Sequence, residues 1–195
     1  KKRKTKRKKK KNSIMKYVAF LRGINISGKN KIPMNELKKE FEKNRYKNVI
    51  TCLNSGNIIF ESLDNESTIS KDINLIIKNK FNIDIPIYII EISELKELVD
   101  NKPNWFTLND KNTYNNIIFI IPPHTYQEIY NVLGKPNELL EQIHEYKNNI
   151  FWSYNLKEYR KTNWWSKTAN TSISNYITIR TFNTITKILD ISKNK

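Results

Sequence analysis

Residues 16–37, KYVAFLRGINISGKNKIPMNEL, read as a buried strand, a glycine-punctuated polar loop and the first turns of an amphipathic helix. The chain holds only four glycines; Gly23 and Gly28 fall in this loop, and Gly56 falls in a second turn, Asn54-Ser55-Gly56-Asn57. Turns that claim so scarce a residue are specified ones. Working outward, Pro33 suits a first helical turn, with Met34, Leu37 and Phe41 following at helical spacing. Residues 49–53 and 58–60 read as short strands joined by the Asn54–Asn57 turn, because glycine accepts a positive φ there. Ile69, Ile73, Ile76, Ile77 and Phe81 make one helical stripe behind a polar start at residues 64–67, and residues 86–92 make a further strand. The order βαββαβ is the split arrangement of a ferredoxin-like sandwich.

The second half repeats the logic. After a short connecting helix at residues 93–99, Pro103 and the polar run 109–116 mark a domain boundary. Residues 116–121 form a strand stopped by Pro122-Pro123, and Tyr126, Ile129, Tyr130 and Leu133 form a helical face that Gly134 closes. Residues 142–146 and 150–154 pair as a hairpin through Asn148-Asn149. A less regular stretch, 156–176, includes a helix; a strand at 178–181 and a final helix at 183–191 follow. The expectation is an α+β protein of two ferredoxin-like domains, residues 15–100 and 101–195, behind a disordered basic tail at residues 1–14.

Composition limits the function classes. A single cysteine, Cys52, allows no intrachain disulfide and no thiolate cluster, which suits a reducing cytoplasm. The apolar runs are too short to span a bilayer, so no stable membrane insertion is expected. Of the formal charge of +16, ten basic residues lie within residues 1–14, leaving 25 basic against 19 acidic residues elsewhere. Such a run repels itself and stays disordered; it is either an arm for nucleic acid or anionic surfaces, or an appendage.

Three stretches together carry a family resemblance: residues 21–30 with Met34 and Leu37, Ser55-Gly56-Asn57 ahead of an apolar strand, and Thr178-Ile179-Arg180-Thr181-Phe182-Asn183-Thr184 with Lys187. They resemble the signatures of the domain of unknown function 1697 family, over residues 15 to about 192. The resemblance implies two ferredoxin-like plaits in a cytoplasmic, mostly bacterial protein with no established biochemical activity. Ser27 stands where the family often has a second glycine, and Thr181-Phe182 replaces a more usual Asn-Trp, so any role of that asparagine does not carry over.

Residues 23–30, GINISGKN, nearly spell a phosphate-cradling P-loop after a strand, but Asn30 replaces the hydroxyl that holds magnesium, and Pro33 delays the helix start past Lys29. What survives is a metal-free anion grip by Arg22, Lys29 and loop amides; the competing reading pairs Arg22 with an acidic residue and leaves the glycines only to turn the chain. Cys52 reads as a small core residue, His124 and His144 show no triad or metal spacing, and the acidic residues read as solvated helix faces. Trp164-Trp165 beside Arg160, Lys161 and Lys167 reads either as a base-stacking surface or as core and rim of the second half.

The candidate ligand-binding set is therefore Arg22, Gly23, Asn25, Gly28, Lys29, Ser55, Gly56, Asn57, Arg180, Asn183 and Thr184, with no metal and no cofactor expected. Two functions fit it. One is a binding module for a nucleotide, phosphorylated metabolite or nucleic-acid backbone. The other is an enzyme that positions an anionic small molecule with the same residues.

Overall fold

The computed structural model describes residues 13–26, 28–107 and 111–193. The basic run at residues 1–12, and Ser27 within the loop, lie outside the described residues.

Each half contains one four-stranded antiparallel sheet. In the first, β1 (Met15–Leu21), β2 (Lys47–Cys52), β3 (Asn57–Ser62) and β4 (Ile87–Glu91) lie in the order β2-β3-β1-β4. Helices α1 (Met34–Lys43) and α2 (Glu66–Phe81) make the two crossovers, and α3 (Ile92–Asp100) follows β4 without a break. The second sheet, from β5 (Thr113–Ile120), β6 (Glu141–Tyr146), β7 (Asn149–Asn155) and β8 (Ile177–Thr181), repeats the order as β6-β7-β5-β8. Its first crossover is α4 (Tyr126–Leu133), its second the short α5 (Trp165–Asn170) between two 3-10 turns, and α6 (Phe182–Lys193) follows β8 as α3 follows β4.

Local chemistry sets these boundaries. Asn65 caps α2 by accepting from Thr68 N at 3.0 Å, and Thr125 with Glu128 forms a reciprocal capping box on α4. β5 begins three residues before the expected position, inside the polar run, because Thr113 to Asn116 pair with Asn155 to Trp152 of β7. Strand pairing satisfies backbone groups whatever the side chains, so a polar stretch at a sheet end still joins the ladder.

Alternation along the strands decides what each face meets. Tyr17, Ala19 and Leu21 point to α1 and α2, where Leu37, Phe41, Ile69, Ile73 and Ile77 cover them. Val18, Phe20, Ile59 and Ile90 point the other way and share a core with Ile117, Phe119 and Phe151 of the second sheet, and with Leu95, Leu98, Ile185 and Ile188 from α3 and α6. Phe20 and Phe119 meet at a ring-centroid distance of 4.7 Å. The outer face of the second sheet packs Ile118, Ile120, Ile150 and Trp152 against α4 and Trp164. The central layer thus belongs to both halves.

Burial also removes several phenols from water. It pushes the Tyr17 and Tyr88 hydroxyls up to about 12, and raises those of Tyr46 and Tyr154 as well, Tyr46 also donating to Asp72 at 2.7 Å. A phenol whose folded value exceeds the unfolded value of about 10 favours the folded state while it stays protonated. That stability is complete below about pH 10 and is lost as pH rises through about 12. In an alkaline titration followed by tyrosinate absorbance and circular dichroism, these four of the ten tyrosines should ionise only with unfolding. Ionisation of all ten while the fold persists would refute this.

Candidate functional site

β1 delivers Arg22 with its backbone already fixed: Leu21 N donates to Gly56 O at 2.8 Å and Arg22 N to Pro86 O at 3.0 Å. The chain then turns through positive φ at Gly23 (68°), Asn25 (56°), Gly28 (78°) and Asn30 (47°). Asparagine is among the residues that tolerate this region, and here its amides also brace the loop. Asn25 accepts from Ile32 N at 2.9 Å and donates to Ile32 O and Asn54 O, both at 3.0 Å, while Asn30 donates to Gly23 O at 3.0 Å. Lys29 N closes the tip on Ile26 O at 2.9 Å, and α1 starts only at Met34. The P-loop arrangement, with its helix rising from the lysine, is absent here.

Gly56 is the tightest point of the second turn. At φ +78° an added Cβ would lie 2.8 Å from both Ile24 Cδ1 and Leu21 Cβ, so only glycine lets the two loops approach. Beside it Asn57 is fully buried and donates to Cys52 O at 2.8 Å and Ser55 Oγ at 3.0 Å.

Arg180 reaches this turn from the far end of the chain. Nε donates to Asn57 Oδ1 at 2.6 Å, Nη2 to Leu21 O at 2.7 Å and Ser55 O at 3.0 Å, and Nη1 to Thr178 Oγ1 at 2.9 Å and Ile179 O at 2.8 Å. The guanidinium also stands 5.2 Å from the centroid of the Phe20 ring. Among the described residues all its partners are neutral. Burial, and then the charge of Arg22, push Arg180 down to about 10, which leaves it cationic at neutral pH.

Arg22 is half-buried, and burial lowers its pKa too. It donates through Nη1 to Ile177 O at 2.7 Å and through Nη2 to Thr168 O at 3.5 Å. The alternative that paired it with an acidic residue is therefore corrected: among the described residues its bonds go to backbone carbonyls of the second half. Both arginines lie at the seam between the halves, where Arg180 holds the carbonyl of the residue preceding Arg22 and feels the charge of Arg22.

A second crossing mirrors the first. Asn57 lies opposite Phe20 in the β1–β3 ladder, and Asn149 lies opposite Phe119 in the β5–β7 ladder. Arg180 of β8 reaches across to Asn57, and Tyr88 of β4 reaches back to Asn149 at 3.2 Å. Sequence reading missed Tyr88 and Asn149; the signal available was the matching place of the two asparagines, each opening the third strand of its sheet.

The remaining candidates separate from this cluster. Asn183 and Thr184 lie in the first turn of α6, where Thr184 N donates to Thr181 Oγ1 at 3.2 Å and Asn183 is exposed. Gly28 and Asn25 border an open cleft of about 420 Å³, which also takes in Lys31, Met34 and Asn54 but no carboxylate. Cys52 is buried and burial raises its thiol pKa, as suits a core residue. Trp164 is core, at 0% exposure, and Trp165 is rim, at 40%.

The solvated-face reading of the acids fails at Glu141. Glu141 is buried in β6, accepting from Trp152 Nε1 at 3.0 Å and Asn163 N at 2.7 Å. Glu66, Glu91 and Glu94 bring carboxylate oxygens within 4.8 Å of one another, and Glu91 also accepts from Ser93 Oγ.

The fold has a solved counterpart. A conserved bacterial protein, SP0830 from Streptococcus pneumoniae, is similar with a TM-score of 0.78 at 23% identity, over 92% of this chain and 99% of that one. No curated protein matches the chain. Residues 14–151 match the family described as "Protein of unknown function (DUF1697)", a range that takes in the Arg22 loop and the Asn57 turn and ends before Arg180. With well over half its length matched, the chain belongs to the DUF1697 family.

Proposed function

We propose that the protein is a binding module for a phosphate-type anion, taken at the Arg22 end of the loop that runs to Asn30. The carrying observation is the pair Arg22 and Arg180, each drawn out of water, the charge of Arg22 acting on Arg180, and both bonded, among the described residues, to neutral acceptors. Two like charges at a low-dielectric seam repel each other, and a bound anion relieves both the repulsion and the missing solvation. Lys29 and Lys31 are exposed on the same loop and add to the positive field. The cleft beside them is open and bordered by no acid, which favours binding over catalysis. The same reading takes each half as a ferredoxin-like plait, residues 15–100 and 101–195, in a cytoplasmic protein; the repeated strand order and the single buried cysteine support it.

The test is thermal melting of the full chain with pyrophosphate and with nucleoside triphosphates. At about 100 times its dissociation constant a ligand adds roughly 2.7 kcal/mol. In a chain of this size that raises Tm by roughly 5–10 °C. Arg22→Gln should change basal stability by less than about 1 kcal/mol, because the loss of the hydrogen bond to Ile177 O and of the longer one to Thr168 O is offset by relieved repulsion. It should also abolish the ligand-induced shift. No shift of the wild-type melting point with any of these anions would refute the reading.

A further inference from the structure

Residues 156–176, which connect β7 to β8, carry an exposed arrangement that the anion site does not use. Adjacent tryptophans meet opposite fates there. Trp164 turns inward and donates Nε1 to Gly134 O at 2.9 Å, whereas Trp165 is 40% exposed and meets Tyr159 edge to face at a centroid distance of 4.6 Å. Arg160 lies over the Tyr159 ring at 5.5 Å and donates Nε to the Tyr159 hydroxyl at 2.9 Å. The backbone beneath is braced: Thr162 Oγ1 donates to Tyr159 O at 2.7 Å and accepts from Trp165 N at 3.3 Å. Two rings and a guanidinium are thus held in fixed relation at the surface.

Charge tells which partner suits this surface. Within residues 156–176 the basic residues are Lys157, Arg160, Lys161 and Lys167, and the one acid, Glu158, is already paired with Lys161 at 2.7 Å. A peptide or a second copy of this chain would gain from the aromatic area, but only a polyanion gains from both rings and cations. Position adds a further constraint. Thr168 O, which receives Arg22, lies three residues along α5 from Trp165, and Thr168 Oγ1 donates to Trp165 O at 2.8 Å. Less than one helical turn, about 5.4 Å of rise, therefore separates the backbone of Thr168, which meets Arg22, from the backbone of Trp165.

We propose that Trp165, Tyr159 and Arg160 form a base-stacking platform for single-stranded nucleic acid, with a neighbouring phosphate taken by Arg22. The inference rests on the anion-binding reading and names its ligand class. Single strands are required because duplex bases present no face to a side chain, whereas an unpaired base can stack on Trp165 while its backbone follows Lys157 and Arg160.

Fluorescence anisotropy on the full chain tests this with three probes: a labelled oligothymidylate, a duplex, and inorganic polyphosphate as competitor. The oligothymidylate should bind more tightly than the other two. Trp165→Ala should weaken it roughly fivefold to a hundredfold, leave polyphosphate competition unchanged and preserve the melting point; Trp165→Phe should restore most of the affinity. Arg22→Gln should weaken every probe. If Trp165→Ala leaves oligothymidylate binding intact, or polyphosphate binds the wild type as well as the oligonucleotide, the platform is refuted while the anion site stands. If Arg22→Gln alone has no effect, the anion site falls and the assignment of the neighbouring phosphate to Arg22 falls with it, while a loss with Trp165→Ala still upholds the stacking rings. If the wild type binds none of the three, both fall.

Discussion

Residues 13–100, produced without the second half, will fail to give a folded monomer. The first sheet covers one of its faces with α1 and α2, but Val18, Phe20, Ile59 and Ile90 on the other face meet Ile117, Phe119, Phe151 and Ile185 of the second half. Leu95 and Leu98 of α3 cover only part of that face and lose α6 themselves. Six apolar side chains left partly wet, at about 1.5 kcal/mol each, come to about 9 kcal/mol. That equals the stability of a typical domain, about 5–15 kcal/mol. The loss of Arg180 also strips partners from Asn57 and from the carbonyls of Leu21 and Ser55. The fragment should bind a hydrophobic dye, lose its near-ultraviolet circular dichroism and aggregate, whereas the full chain unfolds in one transition. A fragment that is monomeric by size exclusion and unfolds cooperatively in urea would show that each half stands alone.

This shared core explains how much could be read from the sequence. The unbroken apolar run of residues 17–21 and the period near 3.6 in the stripe from Ile69 to Phe81 are local signals, so the strands and helices of the first half fall close to the expected places. What the inner face packs against is not a local property. Val18, Phe20 and Ile59 look alike in sequence whether they meet a helix or another sheet. Residues 156–176 were the least legible for a related reason. They are held by long-range bonds, Asn163 N to Glu141, Asn163 Nδ2 to Lys135 O and Lys167 Nζ to Leu133 O, which leave no periodicity behind.

The site was legible only in part. That Arg22, the Ser55–Asn57 turn and Arg180 belong together came from family signatures, and the geometry adds what each does. Arg180 carried a clue of its own. It alternates with Ile177 and Ile179 in β8, which places it with Thr178 on the face turned toward the first sheet, where a charge is costly unless fully bonded. The loop asparagines misled in the other direction. Asn25 is a polar residue in a glycine-rich turn, as a ligand-binding residue would be, yet its amide holds Ile32 and Asn54.

Arg180→Met should cost about 3–5 kcal/mol, more than any other single substitution at the seam. The native guanidinium satisfies Asn57 Oδ1, Thr178 Oγ1 and the carbonyls of Leu21, Ser55 and Ile179, in a place where Arg180 is 8% exposed and Asn57 is 0% exposed. Methionine fills much of the volume but donates nothing, and each buried acceptor left unpaired costs about 1–3 kcal/mol. Removing the desolvated cation returns some of this, because Arg180 has no carboxylate to repay its burial; that return keeps the total below the simple sum. Arg180→Lys should keep the charge yet lose the fork that reaches Asn57 and Leu21 together, and so should also destabilise. The control is the double variant Arg180→Met with Asn57→Leu. Replacing both partners by apolar groups leaves fewer orphaned atoms than the single change does, so the double should be more stable than the sum of the singles by about 1–3 kcal/mol. Urea unfolding of the four proteins measures this coupling directly. Strict additivity, or an Arg180→Met loss below about 1 kcal/mol, would mean that the seam is held by the Phe20–Phe119 layer alone and that the buried arginine serves the ligand rather than the fold.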